Sequence, residues 1–173
     1  MTAVLVTGPI GGGKSAVCRR IAEKGWPVYS CDERCKALYD EIPLLRQRIE
    51  EELGIPFGEL RRIFTEPALR EKLEALVYPL LIRDLESWKA AQTSELVFIE
   101  SAIALSKPVF DGQYDKVLLV TAPREIRQAR NPEVSRRDHL QSFDLSKADR
   151  VIENTGTLRG LNRKTDNYLK QLI

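Results

Sequence analysis

Residues 8 to 15 read Gly8-Pro9-Ile10-Gly11-Gly12-Gly13-Lys14-Ser15, a GxxxxGK(S/T) pattern. Glycines at this density let the backbone curl until several N–H groups converge on one anion, and a helix beginning at the lysine adds its positive end. A lysine at that point reaches the outer oxygens of a di- or triphosphate, and the serine hydroxyl ligates Mg²⁺. Gly8, Gly11, Gly12, Gly13, Lys14, Ser15 and Ala16 are therefore the expected nucleotide-binding run. Two carboxylates stand at promising places, Asp32 just after Val28-Tyr29-Ser30 and Glu100 at the close of ELVFIE. An acid just past a strand end can orient an acceptor hydroxyl and accept its proton, and one at a strand end can hold a metal ion through water or touch substrate. Plainer roles stand beside these: a helix N-cap for Asp32 and a surface acid for Glu100. Arg127, Arg130 and Arg137 have spacings that suit a helical pair closing over phosphates, whereas Arg136 reads as solvated.

These groups need a frame, and the hydrophobic pattern supplies one. A short apolar run from Ala3 to Val6 precedes the glycines, and Val17, Cys18, Ile21 and Ala22 follow at helical spacing up to Gly25. Val28 to Ser30 reads as a second strand. Glu95 to Glu100 and Val117 to Val120 are near-continuous apolar runs of the kind buried on both faces of a parallel sheet, and Val151-Ile152 is a last short strand. Pro43 to Phe64 suggests short surface helices. Leu69, Leu73, Leu76, Val77, Leu80, Leu81, Leu85 and Trp88 then mark a long helix, with a bend or break expected at Pro79. Leu158, Leu161, Tyr168, Leu169 and Leu172 form an amphipathic C-terminal helix.

Strands alternating with helices predict an α/β fold in which a five-stranded parallel sheet carries helices on both faces. The expected organisation is one three-layer domain over 1–173. Its core covers about 1–40, 94–123 and 147–173, a helical acceptor-binding insertion about 41–93, and a short lid about 124–143. With 27 basic against 25 acidic residues, the net charge of +2 is too small for a general nucleic-acid or membrane binder. No stretch is long and apolar enough to span a membrane, and export is not expected. Cys18, Cys31 and Cys35 form neither a CxxC pair nor a zinc set, so a reduced cytoplasm is the expected location. The DxxG and NKxD motifs of a GTPase are missing, and a motor would need more chain. A compact kinase remains.

TGPIGGGKS, PVYSCDE, LREKLEALVYPLL, IESAIAL, REIRQAR, Glu133-x3-Arg137-x3-Gln141 and ADRVIENTG follow one another along the chain. In this order they resemble the dephospho-CoA kinase family, a three-layer P-loop fold, over most of the sequence. The resemblance implies transfer of the ATP γ-phosphate to the ribose 3′-hydroxyl of dephospho-CoA, with Mg²⁺ as cofactor. It implies no nucleic-acid or membrane partner, and a monomer is expected. Catalytic roles fall on Asp32, as the base, with Lys14 and Arg137. Arg130, Arg137 and Asn154 join the nucleotide site, Asn154 reading the adenine edge. Asp32, Lys36, Tyr78 and Glu100 face the acceptor, and Ser15 and Glu100 hold the metal. The chain departs from the family pattern at Ser30, Lys36 and Tyr78, in ESAIAL, and by shortenings before Phe64 and between Arg130 and Glu133. At this point two other readings stay open: another P-loop small-metabolite kinase, and a nucleotide- or CoA-binding protein that has lost transfer.

Overall fold

A computed structural model describes residues 1–138 and 143–173 of the chain. It divides into two compact units, one of residues 1–30 and 91–173, the other of residues 31–90.

The first unit is built on five strands: β1 (Thr2–Thr7), β2 (Val28–Ser30), β3 (Leu96–Glu100), β4 (Lys116–Thr121) and β5 (Arg150–Glu153). All pair in parallel, in the order β2-β3-β1-β4-β5. The apolar runs are nearly continuous because side chains on both faces are buried. Val4, Val6, Phe98, Leu118 and Val120 point to one face with Leu5, Val97, Ile99, Val117 and Leu119 on the other, and all are at most 5% exposed.

On the first face, helix α1 (Lys14–Glu23) contributes Val17, Cys18 and Ile21 to the core. The C-terminal helix, α7 (Leu158–Leu172), adds Leu161, Tyr168 and Leu169. Each such buried side chain contributes about 1.5–3 kcal/mol. Arg20 of α1 clamps Asp166 of α7 through two bonds of 2.8 Å, fixing how the two helices lie on the sheet. Carboxylates also cap strand ends. Asp115 accepts the Ala3 N–H and Asp149 the Val117 N–H, both at 2.7 Å. Asp149, part of the ADRVIENTG string, thus ties the approach to β5 onto β4.

Between β4 and β5 lie α5 (Arg124–Arg130) and α6 (Val134–Arg137). They occupy the segment expected to be the lid. Gln141 lies outside the described residues, and Arg137 is placed only as the end of α6.

The second unit is helical: α2 (Cys31–Glu41), α3 (Leu45–Leu53), a 3₁₀ segment (Phe57–Phe64) and α4 (Pro67–Ala90). Leu73, Val77, Leu81 and Leu85 recur every four residues on α4 and are buried. Arg34 binds Asp84 through two bonds of 2.9 and 2.8 Å, joining α2 to α4.

Two expectations change here. Pro79 does not break α4, which runs through it; a proline removes one intrahelical N–H and crowds one carbonyl, and packing of the buried stripe outweighs that cost. Asp32 is not an N-cap, because α2 already includes Cys31 and places Asp32 in its first turn. There a carboxylate still favours the positive end of the helix without spending its oxygens on a cap.

Candidate active site

The loop between β1 and α1 takes backbone angles that side chains resist. Gly8 has φ 141° and Gly13 φ 108°. A Cβ on Gly8 would lie 1.9 Å from the Val120 carbonyl oxygen, and one on Gly13 would lie 2.4 Å from the Asn154 side-chain nitrogen. Glycine is required by close approach as well as by torsion.

Each carbonyl from Gly8 to Gly13 meets a donor. Lys14 Nζ donates to Gly8 O at 2.8 Å and to Pro9 O at 3.3 Å. Arg127 Nη1 donates to Ile10 O at 3.3 Å, Arg130 Nη1 to Gly11 O at 3.5 Å, and Asn154 Nδ2 to Gly12 O at 3.0 Å. The Gly13 carbonyl accepts from Ala16 and Val17, opening α1. Carbonyl dipoles committed in this way leave the loop suited to present N–H groups to an anion.

Beside the loop, Ser15 Oγ donates to Glu100 Oε1 at 2.7 Å. The register of the sheet explains the meeting: Glu100 ends β3 opposite Val6 of β1, and Ser15 opens the helix that β1 feeds. A hydroxyl and a carboxylate are hard oxygen donors, a pair that fits Mg²⁺ completed by phosphate oxygens and water. Cys18, one turn after Lys14, is raised well above the ordinary thiol range by burial first and by Glu100 second, so it stays protonated.

The arginines divide. Arg130 is exposed, and its long bonds to Gly11 O and, at 3.4 Å, to Asn154 O leave it free to move onto a phosphate. Arg127 does not match the expected closing arginine. It is buried, only 9% exposed, and its guanidinium is held by Ala122 O, Ile10 O and Asp138. The side chain of Arg137 lies outside the described residues.

Asn154 is also buried, at 7%, with its amide nitrogen bonded to the loop rather than held out toward a base. Sequence reasoning missed Asp138, the partner of Arg127. The chain leaves helix between Arg130 and Val134, so the spacing of Arg127 and Asp138 carries no signal of their contact, and only the turn between α5 and α6 joins them.

In the helical unit, Asp32 and Lys36 face each other at 3.5 Å, one turn apart, with side chains 93% and 74% exposed. Such a pair is held by only about 0.3–0.5 kcal/mol and opens readily to a ligand. Tyr78 is half-buried, and burial, with Glu74 beside it, pushes its phenol well above the usual tyrosine range, so it remains a neutral donor. Cys35 contacts the Tyr39 hydroxyl at 3.4 Å.

A parallel sheet whose first strand leads into a glycine loop and a Lys-Ser helix, with an acid on the neighbouring strand, defines a P-loop kinase of small molecules. Shikimate kinase from Acinetobacter baumannii shares the fold, with TM-score 0.58, 19% identity, and coverage of 99% of this chain and 94% of that one. The dephospho-CoA kinase family model matches residues 2–159, and the chain belongs to that family. It is 37% identical over 139 residues to the dephospho-CoA kinase of Porphyromonas gingivalis, covering 75% of this chain and 68% of the relative. The dephospho-CoA kinase of Rickettsia typhi is 30% identical, with 99% and 98% covered. That alignment runs over 188 positions, more than the 173 residues of the chain, so this chain lacks residues that the relative has.

Proposed function

We propose that this chain transfers the γ-phosphoryl group of ATP to the ribose 3′-hydroxyl of dephospho-CoA, giving coenzyme A and ADP. The observation that carries the reading is the Ser15–Glu100 contact at the mouth of the glycine loop, in a chain of this family. Phosphoryl transfer requires positioning and charge stabilisation more than covalent chemistry, and the residues divide that work. The loop from Gly8 to Ala16 binds the phosphates, and Lys14 exchanges the Gly8 and Pro9 carbonyls for phosphate oxygens. Arg130 and Arg137 stabilise charge on the transferred group. Asp32 orients the acceptor hydroxyl and takes its proton as the new P–O bond forms and the bond to the leaving ADP oxygen breaks. Lys36, Tyr78 and Glu100 contact the acceptor, and Asn154 lies at the adenine end of the nucleotide site. Ser15 and Glu100 would hold Mg²⁺, which supplies neutralisation of phosphate charge when bound. The enzyme works as a cytoplasmic monomer with no nucleic-acid or membrane partner, in keeping with its small net charge.

The test is a mass-spectrometric transfer assay with ATP, Mg²⁺ and dephospho-CoA, run beside adenosine, a nucleoside monophosphate and shikimate. One phosphoryl mass gained by dephospho-CoA alone is expected, with the rate reduced about 10²–10⁴-fold in Asp32→Asn. ATP binding without a product on any acceptor would leave a nucleotide-binding protein and end the catalytic reading.

A further inference from the structure

A loop that turns its amides toward an anion turns its carbonyls the other way, and those carbonyls need donors of their own. Three consecutive ones, on Ile10, Gly11 and Gly12, receive Arg127, Arg130 and Asn154. Of the two arginines, only Arg127 is locked. Nε donates to Ala122 O at 3.1 Å and Nη2 to Asp138 Oδ2 at 3.1 Å, while Nη1 bonds both Ile10 O and Asp138 Oδ1. Arg124 Nε stands 3.9 Å from the same carboxylate, a looser second cation. The α5 backbone abuts the loop as well, since a Cβ on Gly11 would lie 2.9 Å from Arg127 O.

A buried charge pair is seldom worth more to stability than apolar residues of the same volume, because desolvation offsets the attraction. A fork of fixed donors does what an apolar residue cannot: it sets the direction of a carbonyl. We propose that Arg127, clamped by Asp138, is a positioning residue that holds the Ile10 carbonyl away from the phosphates and thereby sets affinity for the nucleotide. Asp138 directly follows Arg137, so the same clamp anchors the end of α6 on the loop's support. The inference rests on reading residues 8–15 as the ATP site.

The test compares the parent with Asp138→Asn, Arg127→Met and Arg127→Lys. Calorimetry gives the MgATP dissociation constant, and steady-state kinetics gives kcat and both KM values. The ATP dissociation constant and ATP KM should rise about tenfold in Arg127→Met and about three- to tenfold in Asp138→Asn, with lysine restoring part of the loss. The dephospho-CoA KM should stay within about twofold, because the clamp touches only the loop. Unchanged ATP affinity in both Asp138→Asn and Arg127→Met would overturn the proposal. So would a parallel rise of both KM values with a fall in kcat and melting temperature, which marks plain structural support. Should Arg127→Met not fold, the part-exposed, near-isosteric Asp138→Asn decides alone. A parent that binds ATP yet leaves dephospho-CoA unmodified defeats the acceptor reading, while the affinity series still decides the clamp. A parent that binds no ATP defeats both.

Discussion

Lys14 rests its ammonium on the Gly8 and Pro9 carbonyls, and the proposed function has phosphate oxygens replace those acceptors when a nucleotide enters. Lys14→Met should therefore keep the fold and lower kcat by about 10²–10³, the usual cost of losing one donor aimed at transition-state charge. Steady-state rates with a melting curve on the same sample check both halves. Gly8→Ala should fail differently. Its Cβ would meet backbone, the Val120 carbonyl, which cannot rotate aside. A loss of at least about 2 kcal/mol in urea unfolding is expected, beyond the torsional cost alone.

Asp138 carries a prediction in pH. The Arg127 guanidinium bonded to it holds its carboxyl below the ordinary aspartate value of 3.8. With the folded value below the unfolded one, the pair's stabilisation is complete above about pH 5 and is lost as pH falls through the lowered folded value. The stability gap between parent and Asp138→Asn should thus be constant near neutrality and narrow as pH falls below the ordinary aspartate value, as followed by urea unfolding across that range. A gap of equal size at both ends would show that the carboxylate charge is irrelevant. At this scale the loop residues were legible in the sequence because their chemistry is local. The Arg127–Asp138 clamp was not, because it depends on where a turn brings two helices.

Helix α4 shows how packing overrides a local rule. Its buried leucine and valine stripe continues across Pro79, an exposed position where the ring removes one hydrogen bond and crowds one carbonyl. Pro79→Ala should raise stability by up to about 3 kcal/mol, measured by chemical denaturation. An unchanged or lower value would mean that α4 is shaped around the proline. The strands were the easiest elements to read, since a parallel sheet buried on both faces leaves continuous apolar runs. Helix α2 starts two residues earlier than a cap at Asp32 would have it, enough to move Asp32 from a cap into the first turn.

For the whole molecule, a ligand that binds only the folded state stabilises it by mass action. MgATP at about a hundred times its dissociation constant should contribute about 2.7 kcal/mol, a rise in melting temperature of roughly 5–10 °C for a chain of this size. Lys14→Met should reduce that shift while leaving the nucleotide-free melting point near the parent's. A shift that survives in the variant would place the nucleotide elsewhere.

The sequence by itself determined the strand–glycine loop–helix run, the parallel α/β class and the family, because each is written in contiguous residues or in short-period patterns. Only the tertiary structure decided that Ser15 meets Glu100, that Arg127 braces the loop instead of closing over it, and that Asn154 supports Gly12. Those contacts join residues 85, 117 and 142 positions apart, and hydrogen-bond directions over such separations are set by sheet register and helix packing, which no local pattern encodes.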